Sequence, residues 1–170
     1  VVHKLSFGEA IQRELLTDYQ VVIVGVDKPM VKQWIEDYEI VATNPDEYTD
    51  ARTLAAKIGL IKAIKDYDLK RVISFHTYVK SAKKFSEELI DVVDLIDPAQ
   101  RPKGDFLADY VSGQMKAGDR KEKIDRLKVL DGYDRGILTN ARCLAEGVDV
   151  PSLDGVAFID PRGSQVEIIQ

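Results

Sequence analysis

Apolar and polar positions change their spacing from block to block along this chain, and each spacing predicts an element. Phe7, Ala10, Ile11 and Leu15 recur at helical intervals behind a Ser6/Glu9 pair with capping-box spacing, so residues 6–17 are expected to form a helix. The run VVIVGV at 21–26 is almost continuously β-branched, the signature of a buried strand. Residues 28–48 mix polar and aromatic side chains with Pro29 and Pro45 and are expected to be irregular or partly helical. Leu54, Ile58, Ile61 and Ile64 share one face of a helix expected over 50–67. A strand over 71–75 (RVISF) precedes a helix over 79–90 with Ala82, Phe85 and Leu89 turned inward. After a loop at 98–104 come a short strand over 106–111 and a charged amphipathic helix over 119–130, with Ile124, Leu127 and Leu130 inward. Two further strands are expected at 136–138 and 156–159.

Strands thus alternate with helices, which predicts an α/β fold with a mostly parallel sheet and helices on both faces. In such sheets ligands gather beyond the carboxyl ends of the strands. Three strands end in polar groups there: His76-Thr77, Ser112-Gly113-Gln114 and Thr139-Asn140. No internal repeat or low-complexity tract divides the 170 residues, so a single domain over 1–170 is expected.

Composition narrows the partners. The chain is 45% hydrophobic and 31% charged with a formal net charge of −5, ordinary for a globular protein. A surface that gripped nucleic acid everywhere would be basic, so any such contact must be local. The single cysteine, Cys143, excludes an internal disulfide framework and a multi-cysteine zinc site, and it reads most simply as a small buried hydrophobe. One cysteine fits a reducing, cytoplasmic setting. No apolar stretch is long enough to cross a bilayer, and the first residues lack a signal-peptide pattern. The absent initiating Met, and an end at Gln170 inside what reads as a starting helix, lead us to expect a fragment of a longer protein.

Chemistry concentrates in three segments. Thr139 and Asn140 offer short donors that can approach an anionic oxygen; downstream, Gly147 permits close backbone approach and Asp149 can accept from a ribose hydroxyl or orient a cation. The blander reading is that Gly147 and Pro151 punctuate a loop. In 71–89 a strand delivers Ser74, Phe75 and His76 to its end, and Lys80, Lys83 and Lys84 follow on a helix. That grouping suits a nucleic-acid strand, or else a capping histidine and a solvated lysine face. In 110–126 Ser112-Gly113 can present backbone N–H groups to phosphate. Gly113 and Gly118 have P-loop spacing, but Asp119 stands where the lysine must be, so a Walker A reading fails and Asp119 is expected as the helix N-cap. Asp91, Asp94 and Asp97 lack the turn glycines of a metal loop and read as a solvated acidic edge. No GxSxG nucleophile elbow occurs. No metal ligands and no catalytic residues are assigned.

Taken in order, these segments resemble the second RecA-like lobe of superfamily 2 helicases (DEAD/DEAH-box-like), in the restriction-enzyme-like branch. RVISFHTYVKSAKKF resembles motif IV, YVSGQMKAGDRKEKIDRLK the segment called IVa, and TNARCLAEGVDVPSLDGVAFIDPRGSQVEIIQ motif V running into motif VI. The resemblance covers 71–170 well and 2–67 loosely. It implies that Thr139 and Asn140 contact the backbone of a tracking DNA strand, that Gly113 offers its N–H to a neighbouring phosphate, and that His76 lies beside that strand. It places Gly147, Asp149 and Gln170 at an ATP cleft, and leaves Arg142, where a small residue is usual, without a role. The P-loop, the Mg2+ site and the arginines of motif VI are not in this chain, so ATP and Mg2+ would be held with the N-terminal RecA-like lobe of the parent protein. The fragment alone is expected to be inactive. The alternatives are a non-catalytic RecA-like module that docks nucleic acid or protein, and an independent nucleotide-binding domain.

Overall fold

The computed structural model describes residue 9, residues 12–14, 20–24, 47–141, 143 and 153–160. Among these, the elements run α1 (Glu47–Asp66), β1 (Arg71–His76), α2 (Val79–Leu95), β2 (Phe106–Ser112), α3 (Ala117–Val129), β3 (Arg135–Ala141) and β4 (Gly155–Phe158). The four strands form one parallel sheet in the order β2-β3-β1-β4. The expected α/β class with a parallel sheet is therefore the observed one.

Alternation along the strands shows that both faces are covered. Val72 of β1 and Ile137 of β3 pack with Ile58, Ile61 and Ile64 of α1 and with Phe85, Leu89 and Val92 of α2. Their neighbours Ile73 and Leu138 point the other way, into a second cluster with Leu107 and Val111 of β2 and with Leu127 and Leu130 at the end of α3. Successive strand residues feed opposite faces, so the strands read as unbroken apolar runs. The inward sides expected for α1 and α2 hold: Ile58, Ile61, Ile64, Ala82, Phe85 and Leu89 are all buried. Truncating a ring such as Phe85 in this core costs about 3–5 kcal/mol.

Several boundaries moved. Helix α2 runs on to Leu95 because Val92 and Val93 continue its buried face. Helix α3 starts at Ala117, with Lys116 as N-cap and no side-chain capping bond. Asp119 is thus not the N-cap; it lies in the first turn, where its charge still favours the positive end of the helix. The helix stops at Leu130, in left-handed conformation (φ 52), with its side chain anchored in the core. Strand β3 continues past Leu138 to Ala141, so Thr139 and Asn140 lie inside the strand rather than beyond it. A polar pair ended the run by pattern, but ladder pairing to β1 and β2 carries it further.

The strand expected over 21–26 is not formed in its described part. Val21–Val24 belong to no strand, and Ile23 is 91% exposed. β-branched residues favour a pleated surface only where a neighbouring strand supplies one. Of the helix expected over 6–17, the described residues show one helical turn, with Arg13 N–H donating to Glu9 O at 3.0 Å. Among the described residues no helix is long and apolar enough to cross a membrane.

Candidate functional site

Register brings the carboxyl ends of three strands level. His76 of β1 pairs with Ala141 of β3, and Ala141 pairs with Ser112 of β2. One rung earlier Phe75, Asn140 and Val111 align, and before that Ser74, Thr139 and Tyr110. His76, Gly113, Thr139 and Asn140, separated widely in sequence, therefore meet at one end of the sheet. Gly147, Asp149 and Gln170 lie outside the described residues.

Each of the four is held differently. Thr139 is fully buried, and its hydroxyl donates to the carbonyl of Ala82 at 2.7 Å. That bond ties the first turn of α2 to the centre of the sheet. Asn140 is 1% exposed on the opposite face, where its Oδ1 accepts from Cys143 N at 3.3 Å and from Cys143 Sγ at 2.9 Å. His76 is 2% exposed; its Nε2 lies 3.1 Å from Ser74 Oγ, and its ring leans on Phe85 with centroids 4.8 Å apart. Gly113 alone is exposed, on a turn in which Met115 N–H donates to Ser112 O at 3.2 Å. The four thus form a layered end: three polar side chains closed beneath, and one open backbone turn above.

Two further residues complete this edge. Asp160, just past β4, accepts the Thr77 N–H at 2.7 Å, which ties the exit of β1 to the exit of β4. Cys143 is partly exposed rather than fully buried; burial pushes its thiol up, against the opposing pull of Arg120. Sequence reasoning named neither as a site residue. Asp160 had a signal, as the first acid after an apolar run; the Asn140–Cys143 bond had none, because it depends on which way the strand turns.

The lysines of α2 divide. Lys83 and Lys84 face Glu87 and Glu88 one turn on, as the solvated reading expects. Lys83 also lies 6.0 Å from the ring centroid of Tyr110, and Lys123 of α3 lies 5.3 Å from the same ring. Asp94 pairs with Arg101, and Asp97 accepts the Ala99 N–H, so these acids serve their own loop. Among the described residues no three His, Cys, Asp or Glu side chains gather to hold a metal ion.

Comparison with known proteins adds the family. The model of the helicase conserved C-terminal domain matches residues 56–170. A search of curated proteins finds no match. Among solved structures, the helicase domain of Hef from Pyrococcus furiosus is similar with a TM-score of 0.48 and 19% identity, over 83% of this chain and 31% of that one. The chain thus spans about a third of the solved chain it resembles. Because the family model spans most of the sequence, including every strand of the sheet, the chain belongs to the helicase C-terminal domain family.

Proposed function

We propose that this chain is the second motor lobe of an ATP-dependent DNA helicase or translocase of superfamily 2. The observation that carries the reading is the convergence of His76, Gly113, Thr139 and Asn140 at the carboxyl edge of the sheet. A nucleic-acid backbone would cross that edge. Gly113 and its turn would make the direct phosphate contact, because short backbone donors can approach an anionic oxygen closely. Thr139, Asn140 and His76 are buried beneath; they would hold the end of the sheet and the first turn of α2 in place, and would touch the strand only if this layer opens.

Gly147, Asp149 and Gln170 would line one wall of the ATP cleft. The N-terminal RecA-like lobe of the parent chain would supply the P-loop and the Mg2+ site, and the two lobes would close on ATP and reopen after hydrolysis. The single domain over 1–170 would do neither alone. Contact with phosphates makes binding independent of sequence and steeply salt-dependent, consistent with a net charge of −5 and a strictly local interface. A cytoplasmic setting fits the one cysteine.

The test is ATP hydrolysis by the parent protein with and without DNA, in wild type and in Gly113→Asp and Asp149→Ala. DNA-stimulated hydrolysis that drops in both variants supports the motor. A folded parent whose hydrolysis is absent or indifferent to DNA contradicts it and leaves the docking-module reading in its place.

A further inference from the structure

We propose, on the nucleic-acid reading above, that the outer side of β2 is a second contact for the same single strand. Having crossed the Gly113 turn, the strand continues along this edge, with one base on the Tyr110 ring and its phosphates on Lys83, Lys123 and Arg126.

Three elements build the edge. Among the described residues β2 is the last strand of the sheet on its side. Helix α2 borders it on one face and α3 on the other. Arg120, Lys123 and Arg126 recur every three residues along α3, and their contacts show that this side of the helix faces β2. Arg120 donates to Met115 O at 2.8 Å, inside the turn that follows Gly113. Lys123 pairs with Asp109, and Arg126 lies 3.8 Å from the other oxygen of the same carboxylate. Lys83 reaches the edge from α2. The Tyr110 ring sits between the two helices, with Lys83 Nζ 6.0 Å and Lys123 Nζ 5.3 Å from its centroid.

The chemistry selects the ligand. Asp109 serves two cations at once, so positive charge is in excess beside it. Lys83 and Glu87, each about half exposed, form a pair one helical turn apart at 3.6 Å, and such surface pairs hold weakly enough to be exchanged for a phosphate. A further β-strand is not what this edge receives, because Asp109 Oδ1 already accepts the Tyr110 N–H at 2.7 Å. A partly exposed aromatic ring among cations suits a chain of alternating bases and phosphates, since every base offers a face for stacking. Tyr110 precedes Gly113 by three residues, about 10 Å along an extended strand, so one bound strand can reach both. An interface confined to one corner also agrees with a chain whose net charge is −5.

Photocrosslinking of the parent protein to a 5-iodouracil-substituted oligodeoxythymidylate tests the path directly. The adduct should map by mass spectrometry to Tyr110. In fluorescence anisotropy with the same oligonucleotide, Tyr110→Ala should weaken binding about tenfold, while Tyr110→Phe, which keeps the ring, should bind like the wild type. Lys83→Ala and Lys123→Ala should each make the slope of log affinity against log salt shallower by about 0.7. Adducts confined to the Gly113 turn, with Tyr110→Ala binding like the wild type, overturn the β2 path and leave the nucleic-acid reading standing. A folded wild type that does not bind the oligonucleotide overturns both.

Discussion

The two ends of the sheet are fastened differently. At the amino end every loose strand entry is tied down by a charged side chain. Asp154 accepts the N–H groups of Lys70 and Arg71 at 3.0 and 2.7 Å. The Arg135 guanidinium donates to Leu69 O and Lys103 O and pairs with Asp68. Asp134 accepts the Asp105 N–H, beneath a Gly104 held at φ +94. At the carboxyl end one carboxylate cap remains, Asp160 on the Thr77 N–H, while the polar side chains of Thr139, Asn140 and His76 are buried and the outermost turn at Gly113 is open. An end fastened by ion pairs and carboxylate caps is a structural end. The other end buries small polar groups beneath an exposed backbone turn, at the edge where open parallel sheets generally hold their ligands.

The comparison breaks most easily at the amino end. Gly104→Ala would force a side chain into a left-handed backbone and place its Cβ 2.4 Å from Asp134 Cβ, so a loss of at least about 2 kcal/mol is expected in urea unfolding. Arg135→Ala leaves two backbone carbonyls without their donor and should cost about 2 kcal/mol. Both variants should keep their response to DNA at temperatures where they remain folded. On the other side of the comparison, Thr139→Val keeps the shape and removes the bond to Ala82 O. It should cost about 1–2 kcal/mol, and exchange should quicken first at the start of α2. Gly113→Asp should leave stability within about 0.5 kcal/mol and still weaken phosphate contact.

Smaller effects sharpen the contrast by pH and reactivity. Hydrogen bonding and charge from Arg135 hold the Asp68 carboxyl below its ordinary range. A carboxylate with a depressed folded pKa contributes stability above its unfolded pKa, and that contribution fades as pH falls through the folded value. Asp68→Asn should therefore be slightly less stable than the wild type at neutral pH, and the difference should close as pH falls below ~4. At the opposite end, burial holds the Cys143 thiol protonated, so it should react with iodoacetamide at pH 8 more slowly than a free cysteine. Asn140→Ala, which removes the acceptor beside it, should alter that rate without abolishing it.

Most of the fold was legible because it rests on periodicity. The inward faces of α1 and α2 and the two-faced strands follow from spacing alone, and so does the convergence of strand ends. The depth of the site was not legible. Thr139 and Asn140 read as a polar pair beyond a strand, yet ladder bonds on both sides carry β3 past them and bury them. That outcome depends on ladder partners far off in the sequence, Tyr110 of β2 and Ser74 of β1 opposite Thr139. The run at 21–24 failed for the same reason in reverse: its own residues ask for a strand, and a strand is made by its partner. The family, by contrast, was visible in motif order, and the match over 56–170 bears it out.

The central claim, that one end of the sheet holds the fold and the other meets the ligand, is tested most directly by DNA-stimulated ATP hydrolysis in two single variants of the parent protein. Gly113→Asp should lose about tenfold or more of the stimulation while unfolding like the wild type, a difference of about 1.4 kcal/mol in the DNA-bound complex. Arg135→Ala should unfold earlier and keep its stimulation. Equal stimulation in Gly113→Asp and wild type, with a loss confined to Arg135→Ala, would contradict the account.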